Sequence, residues 1–378
     1  MRVLLDAGVD GADGIGRYSR CVADGLRRGA PPDVELIVRG SGLATHRYSP
    51  AAGQELLGHA GEARADLVHL LDYRIPITAA AGPAMIVTVH DVLRVAHPQP
   101  CYSDDEFAAH RGDEGLAELR AAVAELRELV AFPVDRRPAG AHEDYLGRML
   151  ALAAARAEQV MVPTTTVAAQ LCHLVPASEK VMVSPWGLDH LPAPARAPVP
   201  GVPDRYVLYV GQARPHKGLA ELLAALAVRR TEVVLVLAGR DFTPAGPAGL
   251  RAVQTLGADR VVALGEVSDA VLARLYRNAS ALVHLAEHEG FGFPPLEALA
   301  HGCPVLAADI PVLHETLGPH ASFVDRDDPD AVAADLAQLI LGDAPAARTE
   351  RITWARRFTW DRHVEDLVGC YRRTEARC

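Results

Sequence analysis

Short apolar segments alternate with helix-like segments along nearly the whole chain, and this alternation limits the possible folds more than any other feature. Six apolar runs occur in the first half, at Arg2–Leu5, Val34–Val38, Leu67–Leu71, Met85–His90, Gln159–Val162 and Lys180–Ser184. Five follow in the second half, at Tyr206–Val210, Val233–Ala238, Val261–Leu264, Ala281–Leu285 and Pro304–Ala307. Apolar strands that alternate with helices predict parallel sheets covered by helices on both faces.

A proline-rich segment separates the two halves. Five prolines within residues 191–203 cannot continue a helix or a central strand, and 378 residues exceed the usual size of one hydrophobic core. We therefore predict an α/β protein with two doubly wound, Rossmann-like domains. The first domain covers 1–190, the linker 191–204 and the second domain 205–360, and a final helix lies within 361–378.

The segment 98–142 breaks the alternation because it contains no strand-like run. Its apolar residues recur at three- and four-residue spacing, which predicts an amphipathic helix. These residues are Leu116, Leu119, Val123, Leu126 and Val130. We interpret the segment as a helical insertion in the first domain, either a lid or acceptor-recognition element or a surface addition without a role.

Charge and composition narrow the function classes. The net charge of -10 argues against nucleic acid or anionic membranes as the main partner. No stretch of about 18 residues is apolar throughout, so no transmembrane segment is expected, although peripheral membrane contact stays open. An acid as early as Asp6 argues against a signal peptide, and six cysteines without a C-x-x-C pair argue against a disulfide framework or zinc site. These features predict a cytoplasmic enzyme, with its oligomeric state undetermined.

The run from Glu289 to Glu297 carries the strongest chemical signal. Its two carboxylates bracket Gly290, Phe291 and Gly292, where bare backbone lets a ligand approach the N–H groups closely. Two prolines then begin a helix, and we place Glu297 in its first turn. Because a helix N-terminus favours negative charge, the run is typical of a site for a ligand with many hydroxyls and a phosphate. The alternative is a glycine turn before an ordinary helix.

A basic turn follows the first strand of the second half. Arg214 and Lys217 lie between the strand Tyr206–Val210 and a helix-like segment. Cations in this position suit a diphosphate leaving group. The plainer interpretation is a solvated basic turn.

Two segments of the first half carry further candidate residues. Gly14 and Gly16 belong to the glycine-rich segment 11–18 after the first strand, where phosphate oxygens can meet backbone N–H groups, or which simply forms a tight turn. His90 ends a predicted strand, where it can hydrogen-bond a ligand hydroxyl or serve a structural role.

These segments together resemble the retaining glycosyltransferases of family 4, which have the GT-B architecture. The run Glu289–Glu297 resembles the E-x7-E motif of the family, and the glycine segment resembles its N-terminal glycine loop. His90 and Asp91 resemble its His-Asp segment. The resemblance covers nearly the whole chain, and the motifs are most similar in style to those of mannosyl- and rhamnosyltransferases.

The basic turn fits the family with one departure. Lys217 matches the family's diphosphate-binding lysine. Many members place an arginine directly after the first glycine, but this chain has Gln212 there. Arg214, two residues further on, is the candidate replacement for the missing cation.

The resemblance implies two Rossmann-like domains that face each other across a cleft, with the C-terminal helix crossing back to the N-terminal domain. It also implies roles for individual residues. The implied roles are donor-diphosphate binding for Gly14, Gly16, Arg214 and Lys217; sugar and ribose binding for Glu289, Gly290, Phe291, Gly292 and Glu297; catalysis for His90 and Glu289; and acceptor contact for Arg17 and Asp91.

We therefore expect a retaining, metal-independent glycosyltransferase without a cofactor. It would move a hexose from a nucleotide-diphosphate sugar to a hydroxyl of a small-molecule or glycan acceptor, with GDP-mannose as the favoured donor. One alternative is a UDP- or dTDP-sugar donor in natural-product or polysaccharide biosynthesis. The others are a nucleotide-sugar epimerase or phosphorolytic enzyme, and a non-catalytic nucleotide-sugar-binding subunit.

Overall fold

The described part of the chain falls into two compact units. The computed structural model describes residues 1–7, 14–40, 48–78, 82–97, 101–228, 233–342 and 344–376. Residues 11–13 of the predicted glycine loop and 98–100 of the predicted insertion lie outside this description. The first unit is Met1–Trp186 together with Trp360–Cys378, and the second unit is Gly187–Thr359.

Strands and helices alternate in both units. The strands are β1 (Arg2–Asp6), β2 (Glu35–Arg39), β3 (Leu67–Leu70), β4 (Ala84–Thr88), β5 (Gln159–Val162), β6 (Val181–Val183), β7 (Tyr206–Val210), β8 (Val234–Ala238), β9 (Val261–Gly265), β10 (Ala281–His284), β11 (Val305–Ala308) and β12 (Ser322–Val324). The helices are α1 (Gly14–Gly29), α2 (Pro50–Glu62), α3 (Leu93–Ala96), α4 (Asp104–Leu129), α5 (Ala141–Arg156), α6 (Thr165–Leu174), α7 (Leu219–Val228), α8 (Pro247–Leu256), α9 (Asp269–Asn278), α10 (Phe293–Ala300), α11 (Pro311–Leu317), α12 (Pro329–Ile340), α13 (Pro345–Ala355) and α14 (Trp360–Glu375). Three 3-10 turns lie at Pro215–Lys217, Ala258–Arg260 and Gly318–His320.

The first unit contains a parallel sheet in the order β2-β1-β3-β4-β5-β6. Its central strands are buried on both faces, which explains their continuous apolar sequences. Helix α14 belongs to this unit and packs against α1. A Cβ at Gly25 of α1 would lie 2.7 Å from Cγ2 of Val364, so this close packing needs a glycine.

The predicted amphipathic helix in the first unit is part of the core, which corrects the interpretation as a surface addition. Leu119 and Leu126 of α4 are fully buried, and Val123 is almost so. Helix α4 packs on α5, and both contribute to the hydrophobic core beside the sheet. Ser103 and Glu106 form a capping box that begins α4. The acceptor-recognition role of this segment stays a prediction.

The second unit contains a parallel sheet in the order β12-β11-β10-β7-β8-β9. From β7 the chain adds strands on one side as far as β9, and then continues with β10 on the other side of β7. The sequence missed β12, because a strand of three residues that is only partly buried has no apolar run to detect. The prediction of an α/β protein with two doubly wound sheets is confirmed.

The predicted strand ends are less accurate than the strands themselves. β5 and β7 have the predicted bounds, and most other strands differ by a residue or two. The larger correction concerns β4, which ends at Thr88 and not at His90. His90 therefore lies in the loop beyond the strand, where the backbone no longer pairs with the sheet.

Candidate functional site

The predicted donor residues of the second unit meet at the carboxyl edge of its sheet. β7 leads into the turn Pro215–Lys217, and β10 leads into the glycine run that begins at Glu289. β7 and β10 are adjacent in the sheet, and the connections that leave them diverge. Crevices at such a switch point are the usual ligand sites of doubly wound sheets.

Gly218 allows the basic turn to lie directly on the loop after β10. Its φ is +77°, and a Cβ there would stand only 2.1 Å from the carbonyl oxygen of Leu285. The backbone N–H of Glu287 also donates to the carbonyl of His216 at 2.8 Å. The basic turn and the acidic loop are therefore held together by backbone contacts, independently of their charged side chains.

An ion pair joins the two loops. Nζ of Lys217 donates to Oε1 of Glu289 at 2.6 Å, and Nε2 of His284 lies 2.9 Å from the same oxygen. Burial by itself would raise the pKa of the Glu289 carboxyl, but Lys217 and His284 outweigh it and hold that pKa well below its usual range. The Lys217 side chain is 24% exposed and that of Glu289 12%, so solvent, and hence a ligand, can reach this pair.

Glu297 lies behind this pair on α10 and is almost fully buried. Tyr276 donates its hydroxyl to Oε2 at 2.8 Å, and Nε2 of His190 lies 3.0 Å from Oε1. Helix α10 begins at Phe293, so Glu297 is in its second turn, which corrects the predicted first-turn position. The reason is that the prolines occupy the first turn, where a residue without an N–H costs no hydrogen bond.

The glycine run between the glutamates is fixed by packing. The Phe291 ring is buried against the rings of Phe293 and Phe358, at centroid distances of 5.4 and 5.8 Å. Gly292 has φ +83°, and a Cβ there would lie 2.9 Å from Cδ2 of Leu313. The side chain of Phe291 thus belongs to the core, and any ligand contact at this residue would come from its backbone.

Arg214 belongs to the same turn as Lys217 but differs from it in its side-chain contacts. Its side chain makes no hydrogen bond or ion pair within the described ranges, and it is neither buried nor fully exposed. Its carbonyl accepts from the backbone N–H of Lys217 at 2.9 Å, so the two residues belong to one turn. A phosphate could therefore meet the guanidinium without first breaking an ion pair.

The remaining predicted residues lie in the first unit. Gly14 and Gly16 are in the first turn of α1, where backbone N–H groups lack intrahelical acceptors, and Arg17 follows them on that helix. His90 is 6% exposed, and its Nε2 donates to the carbonyl of Leu71 at 2.8 Å. Asp91 accepts from the backbone N–H of Leu93 at 2.9 Å and so forms an Asx turn just before α3.

Three residues of the second-unit site escaped prediction. His284 is a polar side chain at the end of an apolar strand, which is a signal that the sequence offered. His190 and Tyr276 gave no such signal, because their partner Glu297 is 107 and 21 residues away in the chain. The described residues contain no group of three or more His, Cys, Asp or Glu side chains that could hold a metal ion.

Comparison with known proteins identifies the second half of the chain. Residues 197–356 match the family model described as glycosyl transferases group 1. The O-antigen chain mannosyltransferase RfbU of Salmonella typhimurium is 37% identical over 166 residues, which cover 44% of this chain and 46% of that protein. A GDP-mannose:cellobiosyl-diphosphopolyprenol alpha-mannosyltransferase of Xanthomonas campestris is 35% identical over 179 residues, which cover 45% of this chain and 46% of that protein.

The whole chain shares its fold with solved glycosyltransferase structures. Sucrose-phosphate synthase from Thermosynechococcus elongatus superposes with a TM-score of 0.68 at 20% identity, and the match covers 100% of both chains. The predicted resemblance to GT-B glycosyltransferases of mannosyl type is therefore confirmed. The alignments with the two curated mannosyltransferases span about half of their length. None of the described helices is both long and apolar enough to cross a membrane.

Proposed function

We propose that the protein is a retaining glycosyltransferase that moves a hexose from a nucleotide-diphosphate sugar to an acceptor hydroxyl. The observation that carries the proposal is the Lys217–Glu289 ion pair at the switch point of the second sheet. A cation beside a carboxylate suits a nucleotide-diphosphate sugar, which has an anionic diphosphate and a sugar with several hydroxyls. The cation stabilises the leaving diphosphate, and the carboxylate accepts hydrogen bonds from sugar hydroxyls.

The donor roles follow from position in the second unit. Lys217 and Arg214 are assigned to the diphosphate, with the N-terminus of α10 as a further source of positive potential. Glu289 and the backbone around Phe291 are assigned to the sugar. Glu297 is assigned to the ribose hydroxyls, because a carboxylate can accept hydrogen bonds from both hydroxyls of a diol.

The proposed chemistry needs no second catalytic carboxylate. With the diphosphate leaving group held by cations, the acceptor hydroxyl attacks the anomeric carbon from the side that the diphosphate leaves. The departing phosphate oxygen takes the proton of that hydroxyl. His90 of the first unit is proposed to contribute to sugar recognition, and Arg17 and Asp91 to acceptor recognition.

GDP-mannose is the donor that we propose first. The support is the similarity to two mannosyltransferases, one of which carries GDP-mannose in its name. The test is a thermal-shift panel of GDP-, UDP- and dTDP-sugars with the full chain. At about 100 times its Kd a ligand adds about 2.7 kcal/mol of stability, so the true donor should stand out.

Product analysis then tests the reaction itself. We expect the stabilising donor to yield a glycoside whose anomeric configuration by NMR is that of the donor. An inverted product would contradict the retaining mechanism. Stabilisation by a nucleotide sugar without transfer or hydrolysis, over a broad acceptor panel, would point to a binding subunit.

A further inference from the structure

A pocket at the carboxyl edge of the first sheet is lined by none of the residues that the sequence singled out as site candidates. It is a depression that is open to solvent and lined by both charged and apolar side chains. Asp6 ends β1, Arg39 ends β2, and Asp72 follows β3, so three adjacent strands deliver charged side chains to one place. Asp6 and Arg39 are direct neighbours across the β1–β2 pair. Ser49 and the start of α2 form another wall.

Arg39 is the unusual feature of this pocket. Its side chain is only 10% exposed, yet neither Nη1 nor Nη2 has a hydrogen-bond partner among the described residues. Carboxylate oxygens of Asp6 and Glu55 lie 3.6 and 3.7 Å away, beyond hydrogen-bond reach. Leaving buried Nη donors without a hydrogen bond is costly, so these donors are set up for an acceptor that enters the pocket.

The charges around the pocket decide what that acceptor can be. In the lining, the positive charges of Arg39 and Arg74 are matched by Asp6 and Asp72. Glu55 is outside the lining, but its carboxylate lies 3.7 Å from the Arg39 guanidinium and adds a third negative charge beside it. Arg74 is already bonded to Asp72 through its Nε at 2.7 Å. The N-terminus of α2 adds about half a positive charge, which does not reverse the balance. A phosphate would meet three carboxylates without a surplus of cations, and the pocket therefore disfavours it.

A sugar hydroxyl suits the same geometry. It can accept from the Arg39 guanidinium and donate to Asp6 or Glu55, and so bridge from the side two groups that are too far apart to bond each other directly. Apolar side chains, among them Ile75, Ile77 and Met149, line other parts of the pocket and can cover the C–H face of a ring.

We propose that this pocket binds an uncharged, hydroxyl-rich sugar ring, and that the ring belongs to the acceptor. The assignment to the acceptor rests on the proposed function. The preference for a neutral sugar rests only on the pocket. The part of the acceptor that occupies the pocket would thus be an uncharged sugar residue. Any phosphate or diphosphate on the acceptor would lie outside the pocket.

Binding of neutral and phosphorylated glycosides tests the proposal without any transfer reaction. The full chain is held with saturating GDP and UDP, so that nucleotide sites are filled. Methyl α-glucoside, α-mannoside and α-galactoside and their 6-phosphates are then titrated by saturation-transfer NMR. We expect at least one neutral glycoside to bind, and its phosphate to bind about tenfold more weakly.

Two substitutions locate the binding. Arg39→Gln should weaken the neutral glycoside by about tenfold, as expected for loss of charge-assisted hydrogen bonds. Glu55→Gln, at a position on α2 that is less critical to the sheet, should weaken it several-fold even if the first variant does not fold. Arg27→Gln, a 54% exposed arginine on α1, is the matched control and should change nothing.

Three results would overturn the proposal: no binding by any neutral glycoside, tighter binding of a phosphate, or unchanged binding in both Arg39→Gln and Glu55→Gln. Failure of the proposed function would look different. Transfer would be absent while glycoside binding, and its dependence on Arg39, persisted.

Discussion

The two sheets carry polar clusters of opposite kinds near their carboxyl edges. In the first unit, neutral groups form a buried chain of hydrogen bonds with donor–acceptor distances of 2.7 to 3.3 Å. Its members are Tyr371, His69, Thr88, Tyr18, His363 and Ser184, and each is no more than about 1% exposed. In the second unit, the charged pair Lys217–Glu289 stands where solvent reaches it.

This difference distinguishes a cluster that stabilises the packing of the first unit from a cluster in the second unit that is available to a ligand. The first chain joins α14 to β3, β4 and α1, and it ends on the carboxylate of Asp366, to which the Ser184 hydroxyl donates at 2.8 Å. Such a network fixes one packing arrangement and offers little to a ligand. The Lys217–Glu289 pair can instead exchange its partners for those of a phosphate or a hydroxyl, because solvent reaches both side chains.

The largest expected effect of this difference is on stability in acid. Burial, followed by the charges of neighbouring histidines, lowers the pKa of His69 to about 3. Burial also lowers the pKa of His363 to about 3. In the unfolded chain both titrate near 6.5, so between pH 6.5 and 3 the unfolded state binds more protons and stability falls as pH falls. Across that window, each histidine lowers the free energy of unfolding by roughly 4 kcal/mol.

In the second unit burial lowers the pKa of His301, so this unit also loses some stability below pH 6.5, whereas the contribution of Glu289 is lost in a lower window. The pKa of Glu289 is depressed below its ordinary value of 4.5, so its contribution is present above pH 4.5 and is lost only below it. We therefore expect the first unit to open first as pH is lowered from 6.5 to 4.5. Hydrogen exchange followed by mass spectrometry in each unit measures this directly.

A single substitution checks the origin of the acid effect. His363→Gln should flatten the pH dependence of the first unit, because glutamine does not titrate. His59→Gln, at an exposed position on α2, is the control and should leave the profile unchanged. Equal acid sensitivity in His363→Gln and the unchanged protein would show that the neutral network is not responsible.

The second prediction concerns the exchangeable cation. Lys217→Ala should lower kcat/KM by about 10²-fold or more, as expected for loss of one preorganised charge donor at the leaving group. Folding stability should change far less, since the glycine and backbone contacts hold the turn. Steady-state kinetics over donor concentration, beside a thermal melt, separates the two effects.

Substitutions of two arginines in the second unit provide a control and a second test for the Lys217→Ala result. Arg240→Ala is the control, because this 63% exposed residue follows the neighbouring strand β8 and pairs only loosely with Glu266 at 3.6 Å. It should retain near-normal turnover. Arg214→Ala should be impaired if Arg214 supplies the cation that Gln212 does not. Normal turnover in Lys217→Ala would remove the diphosphate assignment altogether.

The strands of both sheets could be predicted from the sequence, whereas the side-chain contacts between loops that follow different strands could not. Apolar runs such as β5 and β7 are detectable because burial on both faces leaves no polar position. The Lys217–Glu289 pair joins residues 72 positions apart, and only the strand order brings their loops together. Spacing within each motif suggested the chemistry, but it could not show that the two motifs share one carboxylate.

The pocket around Arg39 was beyond prediction for the same reason. Asp6, Arg39 and Asp72 each look like an ordinary charged residue at the end of a strand. Their convergence depends on β1 lying between β2 and β3, a property of topology and not of any local pattern. The buried chain through His69 and His363 likewise joins residues at opposite ends of the sequence.

The smallest expected effect separates the two glutamates of the second unit. Glu289 is the partner of Lys217, whereas Glu297 is buried with His190 and Tyr276. Glu289→Gln removes the charge that competes for Lys217, so the free nucleoside diphosphate should bind equally well or a few-fold more tightly, while kcat falls. Glu297→Gln should weaken the same ligand several-fold, because an amide accepts fewer hydrogen bonds from ribose hydroxyls.

Calorimetric titration of both variants with the nucleoside diphosphate measures this difference, and turnover with the complete donor supplies the second readout. The substitutions are nearly isosteric, so each serves as the control for the other. If both variants lost affinity equally, the carboxylates would act as one cluster. The contrast between an exchangeable pair and a fixed buried group would then hold between the two units, but not within the second one.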